Sequence, residues 1–215
     1  MVYQSKSYNF VLRLITACVL APIVLFIIKL GGWAFASLIM AAAIIMGGEW
    51  SQMTYHKNNL WKIAGIFYIL IPSMSLLWLS GYTPSEFSNL QVSGASMIIS
   101  IFVLVWANDI GGYVFGKTIG GYKLCPKISP NKTISGFIGG IVCSMAMAPL
   151  LDDGFIFAAI VAIIASLGDL LESWFKRCCK MKDSGSIIPG HGGLLDRVDG
   201  ILLVSVVVAA ATYFI

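Results

Sequence analysis

The apolar positions of this chain fall into long unbroken blocks. They do not alternate as in a half-buried strand, nor form the single stripe of a soluble amphipathic helix. Seven blocks are legible, at about 9–28, 30–47, 63–80, 92–115, 134–151, 154–175 and 198–215. A helix needs roughly 20 residues to cross a ~30 Å hydrocarbon core, so the blocks have the length of membrane spans. The pattern predicts an all-α fold: a polytopic helical membrane protein with about seven transmembrane helices. No stretch of soluble composition is long enough to fold alone, so 1–215 is expected to be a single integral membrane domain. Within it, 1–91 supplies N-terminal helices, and 92–215 the helices and loops that carry chemistry. Composition agrees, with 58% hydrophobic and 11% charged residues, where soluble chains carry about 25% charged. No internal repeat is present, which argues against the repeated halves of many transporters.

The polar positions between the blocks orient the chain. With a cytoplasmic N-terminus, every one of the 14 Lys and Arg except Lys29 falls at a cytoplasmic helix end or loop, as the positive-inside rule requires. The loop at 81–93 carries no Lys or Arg, and the turn at Asp152-Asp153 is acidic. The expected topology is N-terminus in, C-terminus out. Ile15-Thr16-Ala17-Cys18 looks like a lipoprotein box and Ala34-Phe35-Ala36 like a cleavage site. Arg13 interrupts the apolar run and more spans follow, so an uncleaved first helix is expected. Nucleic-acid binding would want a basic face on a soluble scaffold, and none is present. Five cysteines show no C-x-x-C spacing and the two histidines lie far apart, which argues against zinc. Gly112, Gly116, Gly136 and Gly140 are spaced to let helices approach closely, whereas Gly120-Gly121 sit among polar residues and fit a loop equally well.

The densest polar stretch is 173–199, with Lys176, Arg177, Lys180, Lys182 and Arg197 beside Asp183, Asp196, Asp199 and His191. Its centre, Pro189-Gly190-His191-Gly192-Gly193, offers backbone that can turn N–H groups around an anion. Asp169 and Glu172 stand three apart at the cytoplasmic end of the sixth span, and Asp196 and Asp199 three apart at the start of the seventh. Asp109 reaches the same depth from the fourth span. Carboxylates in apolar helices are costly without partners. Glu172 reads best as an i, i+4 ion pair with Lys176. For Asp169, Asp196 and Asp199, a divalent-metal site is the better reading, because clustered like charges need a cation between them. Oxygen-only ligands favour Mg²⁺ or Mn²⁺. A cation-coupled membrane transporter using the same carboxylates is the alternative, although its ligands should lie nearer the midplane. His191, flanked by glycines, is a candidate for phosphate or leaving-group contact. Cys178-Cys179 receive no role.

A second cytoplasmic segment runs from Gly116 to Gly140, with Ser129-Pro130-Asn131-Lys132-Thr133 at its core. Ser129, Thr133 and N–H groups at a helix start can hold an anion, with Lys132 as the point charge. Contact with inner-leaflet headgroups is compatible with this.

These residues together resemble the bacterial phosphatidate cytidylyltransferases (CDP-diacylglycerol synthases). The family signature runs Ser-x-apolar-Lys-Arg, then Lys-Asp-x-small, Pro-x-His-Gly-Gly and Asp-Arg-apolar-Asp. Ser173, Phe175, Lys176, Arg177, Lys182, Asp183, Gly185, Pro189, His191, Gly192, Gly193, Asp196, Arg197, Val198 and Asp199 fill its places. Asn108-Asp109 with Tyr113, and 129–133, also look like family segments. Ser135 stands before Gly136 where members often carry an acidic residue. The N-terminal part is shorter than in typical members by one or two helices, which is expected to alter lipid access or dimer contacts more than chemistry.

The resemblance implies CTP and phosphatidic acid as substrates, with CDP-diacylglycerol and pyrophosphate as products of phospholipid biosynthesis. It also implies a multi-pass protein of the bacterial inner membrane with its site facing the cytoplasm, and it allows a homodimer. A two-cation site is expected, with Mg²⁺ or Mn²⁺ first and the second cation unnamed. The expected metal ligands are Asp169, Asp196 and Asp199, with His191 and Lys182 as further catalytic residues. Asn108, Asp109, Ser129, Lys132, Lys176, Arg177, Gly190, Gly192, Gly193 and Arg197 are the expected substrate contacts. CDP-alcohol phosphotransferases are discounted, because no further Asp or Glu follows Asp199-Gly200.

Overall fold

The computed structural model describes residues 6–81, 93–187 and 192–214. Seven α-helices account for most of it: α1 (Lys6–Leu30), α2 (Gly32–Met53), α3 (Asn59–Ser80), α4 (Gly94–Thr118), α5 (Ile134–Met147), α6 (Phe155–Cys178) and α7 (Leu195–Phe214). Six of them, α2 to α7, are long and apolar enough to cross a membrane once α5 is counted with the 3₁₀ turn that extends it to Leu151, and α1 is apolar over Cys18–Leu30. The protein is a polytopic helical membrane protein. Six of the helices, all but α5, run past at least one end of their apolar blocks. α2 continues to Met53, and α7 begins at Leu195. Glu49 and Asp196 are therefore helical residues.

Local chemistry explains the helix limits. Gly31 adopts φ 61°, a left-handed turn that lets α1 stop and α2 start with no loop. The Ser93 side chain accepts the Ser96 N–H at 3.3 Å to cap α4, and Thr133 accepts the Gly136 N–H at 3.1 Å to cap α5. Pro149 lies in the 3₁₀ turn after α5, and Asp152 closes that turn at φ 57°. A short antiparallel hairpin, β1 (Lys123–Cys125) and β2 (Ser129–Thr133), joins α4 to α5. The apolar pattern carries no sign of it, because such short, largely polar strands have no apolar face to alternate.

α4 is the central helix. It packs along α5 and touches α1, α3, α6 and α7. Ile98, Ile101, Leu104 and Val105 meet Val161 and Ala165 of α6 and Ile201 and Val204 of α7 in the main core. Large apolar side chains such as Ile44, Phe67, Ile138 and Ile156 stay exposed on the outside. In a membrane that surface meets lipid tails, so burial between helices depends on close packing of small residues. The expected α4–α5 seam is present: a Cβ on Gly136 would stand 2.6 Å from the Gly112 carbonyl oxygen and 3.2 Å from Gly116 Cα. Gly120 and Gly121 have φ of 66° and 98° and belong to the turn into β1, which settles their two readings in favour of the loop.

A second close crossing joins α6 to α7. Ala158, Ala162, Ala165 and Gly168 form the buried edge of α6. A Cβ on Gly168 would lie 2.7 Å from the Asp199 carbonyl oxygen, and one on Gly200 3.3 Å from Ala165. The helices thus touch one residue away from both Asp169 and Asp199, which fixes where those carboxylates enter the interior. Gly168→Val is expected to force the crossing apart and cost about 1–3 kcal/mol of stability. A lowered thermal unfolding midpoint in detergent is the check, and an unchanged midpoint would refute the close crossing.

Candidate active site

At the end of the bundle where α4 and α6 finish and α7 begins lies a cavity of about 640 Å³. That is within the ~300–1,000 Å³ of ordinary small-molecule sites. Its wall is assembled from α4 (Asn108, Asp109, Tyr113), β2 (Lys132), α6 (Asp169, Lys176), the following loop (Asp183) and α7 (Asp196, Arg197, Asp199). Eight of the residues expected from sequence are therefore brought together: Asn108, Asp109, Lys132, Asp169, Lys176, Asp196, Arg197 and Asp199.

Their charges are arranged in two groups. On one side, Lys132 forms an ion pair with Asp169 across from hairpin to α6, and the Ser173 hydroxyl donates to Asp169 Oδ1 at 3.4 Å. Nearby, Asn108 Nδ2 donates to Ser166 Oγ at 3.2 Å and ties α4 to α6. On the other side, Lys176 Nζ stands 2.5 Å from Glu172 Oε2 and 2.6 Å from Asp196 Oδ1. Glu172 is 1% exposed, and neither of its oxygens has a well-directed hydrogen bond. Lys176 is its counter-charge, as the i, i+4 spacing predicts.

Asp196 does more than neutralise Lys176. Its Oδ2 accepts the N–H groups of Ser184 and Gly193, both at 3.0 Å. The sequence predicts that the glycine-rich loop turns its N–H groups around an anion. For Gly193 that anion is the protein's own carboxylate. Gly192 takes φ 85°, and a Cβ there would stand 3.0 Å from Asp196 Oδ2. Asp199 is buried, with Oδ1 accepting the Gly200 N–H at 2.7 Å.

Other expected residues are placed elsewhere. Arg177 Nε donates to the Ile128 carbonyl and Nη1 to the Met181 carbonyl, both at 3.0 Å, so its guanidinium braces the loop after α6 against the hairpin. Ser129 pairs with Cys125 in the hairpin and does not line the cavity. Lys182 is exposed and also off the cavity wall. Gly192 and Gly193 lie behind Asp196 and not on the wall itself. Gly190 and His191 fall outside the described residues. Thr133 lines the cavity, but its hydroxyl oxygen is occupied in capping α5.

One buried acid has no role in the sequence reading. Glu49, 2% exposed, accepts the Leu194 N–H at 2.8 Å, the Leu195 N–H at 2.9 Å and the Ser184 hydroxyl at 3.2 Å. The signal that could have found it is a lone carboxylate between Gly48 and Trp50 at the edge of an apolar block, where an unpartnered charge is costly.

Among the described residues, no three His, Cys, Asp or Glu side chains close around a ready-made metal position. The donor set nonetheless suits a hard cation, since the acidic wall groups offer carboxylate oxygen and no thiol or imidazole. The backbones beside Asp169 and Asp199 touch at the Gly168–Gly200 crossing, and both side chains line the cavity with Asp109. Asp196 already holds Lys176 with one oxygen and the loop with the other.

The geometry defines a class: a multi-pass membrane protein with a mixed-charge cavity at one end of its bundle. Comparison with known proteins gives the particular family. Residues 62–215 match the model of the cytidylyltransferase family, and the chain belongs to that family. A phosphatidate cytidylyltransferase of Rickettsia bellii is 37% identical over 216 residues, covering 93% of this chain and 89% of the relative. One from Brucella suis is 38% identical over 174 residues, covering 77% of this chain. One from Staphylococcus haemolyticus is 46% identical over 122 residues, covering 52% of this chain and 46% of its own length. The match spans about 60% of the length of the Brucella relative.

Proposed function

We propose that this protein transfers the cytidylyl group of CTP to phosphatidic acid. A phosphate oxygen of the lipid attacks the α-phosphorus of CTP, the bond from that phosphorus to the β-phosphate bridging oxygen breaks, and pyrophosphate leaves with the electron pair. The attacking oxygen is already anionic, so the transfer needs no protein nucleophile. Its main barrier is the approach of two polyanions. The single observation that carries the reading is the cavity shared by Lys132, Arg197 and the Asp169 and Asp199 carboxylates at the end of the bundle.

In this reading Asp169 and Asp199, with Asp109 beside them, hold Mg²⁺ or Mn²⁺. A bound divalent ion would supply charge neutralisation at the triphosphate. Lys132 and Arg197 bind phosphate oxygens, and Lys132 must leave Asp169 to do so. Asp196 serves through Lys176 and the loop it holds. His191, Gly190 and Lys182 are assigned to the pyrophosphate side through their place in the signature, and a second cation completes the site. The site faces the cytoplasm of a bacterial inner membrane, which admits CTP from the water and phosphatidic acid from the leaflet, and the working assembly is a homodimer.

Purified protein in mixed micelles with CTP, Mg²⁺ and phosphatidic acid is expected to release pyrophosphate in step with CDP-diacylglycerol. Chelation should stop release, and Mg²⁺ or Mn²⁺ should restore it. Lack of pyrophosphate with all three present would overturn the proposal, and is what a cation-coupled transporter would give.

A further inference from the structure

Glu49 lies before the stretch that the family model matches, which begins at residue 62. Its helix, α2, contributes no residue to the cavity wall. Its carboxylate nevertheless reaches the loop that leads into α7. Oε1 accepts from Leu194, Oε2 accepts from Leu195 and from the Ser184 hydroxyl, and the chain positions bridged are 135 to 146 residues apart. The Leu194 and Leu195 donors stand at the N-terminus of α7, where N–H groups lack an intrahelical acceptor and a negative charge is favoured. The fit is tight: a Cβ on Gly193 would stand 2.7 Å from Glu49 Oε2, and one on Gly185 2.9 Å from Oε1. Asp196 grips the same loop at Ser184 and Gly193 from the other side.

We infer that Glu49 is a positioning residue for the proposed transfer, capping α7 from another helix and thereby setting how Asp196, Arg197 and Asp199 present themselves to the nucleotide. The inference rests on that proposed reaction. A carboxylate can satisfy both backbone N–H groups and the hydroxyl at once. A glutamine has one carbonyl oxygen for these N–H groups and turns its own N–H₂ against the other. In Glu49→Gln the first turn of α7 loses one side of its tether, and the three cavity residues on that turn shift together.

The experiment uses the full chain in detergent, comparing wild type, Glu49→Gln and the milder Ser184→Ala. Glu49→Gln is expected to raise KM for CTP about tenfold and leave KM for phosphatidic acid unchanged. Hydrogen exchange at the Leu194 and Leu195 amides should accelerate, while amides in the middle of α4 keep their protection. Ser184→Ala should move both readouts the same way by less. A merely structural role would reduce the folded fraction, lowering Vmax with both KM values intact, and that result overturns the inference. So does unaltered exchange at Leu194 and Leu195 in Glu49→Gln. Wild-type protein without pyrophosphate release would overturn the proposed reaction instead, and the exchange comparison would still decide the tether.

Discussion

Asp196→Asn is expected to lower cytidylyl transfer by at least roughly 100-fold while the chain still inserts into membranes. The side chain is nearly isosteric, so the apolar spans that drive insertion are untouched. What changes is the set of partners. Asp196 Oδ1 receives Lys176 at 2.6 Å, and Oδ2 receives two backbone N–H groups at 3.0 Å. An asparagine can keep its oxygen on the loop or on Lys176, but not on both. If the oxygen stays on the loop, Asn N–H₂ faces the Lys176 ammonium, and two donors meet with no acceptor between them. If it turns to Lys176, the N–H groups of Ser184 and Gly193 lose their anion. In either arrangement the start of α7, which also carries Arg197 and Asp199, is no longer held in register with α6. The check is the rate of pyrophosphate release per mole of membrane-extracted protein. Transfer at the wild-type rate would remove Asp196 from the site.

Lys176→Met should have the largest effect on stability, about 3–5 kcal/mol. The lysine is the shared counter-ion of Glu172 and Asp196, and its side chain is only 10% exposed. Removing one partner of a buried pair leaves the other charge without compensation, and here two carboxylates are left. The sharper outcome concerns the double variant. Adding Glu172→Gln to Lys176→Met removes the more buried of the two orphaned charges, so a substantial part of the lost stability should return. Thermal unfolding of both variants in the same detergent measures this. A double variant no more stable than Lys176→Met alone would show that Lys176 acts through packing and not through charge.

Both expectations concern side chains that the sequence singles out, but the structure changes the reasons. By its place in the signature Lys176 is a phosphate contact. In the structure it lines the cavity while bridging α6 to α7 through two acids. Arg177 has the same reading from sequence, and its donors are engaged by the backbone of Ile128 and Met181. A basic residue in a phosphate-binding signature looks alike whether it meets a ligand or a carbonyl. Which one it meets depends on what the next helix or hairpin brings within 3 Å.

The sequence by itself determined the membrane class, the number and approximate limits of the helices, and the close-packing glycines at 112, 116, 136 and 140. It also determined that the acids of the fourth, sixth and seventh spans end at one level. These properties follow from local rules: apolar block length against hydrocarbon thickness, three-residue spacing on a helix face, and glycine where two backbones touch. The tertiary structure alone decided the partners: Lys132 with Asp169, Asp196 with the loop, and Glu49 with the start of α7. Glu49 shows the physical reason most plainly. Its donors lie 135 to 146 residues along the chain, and no periodicity or composition within one segment can record a hydrogen bond that exists only once α2 and α7 have packed.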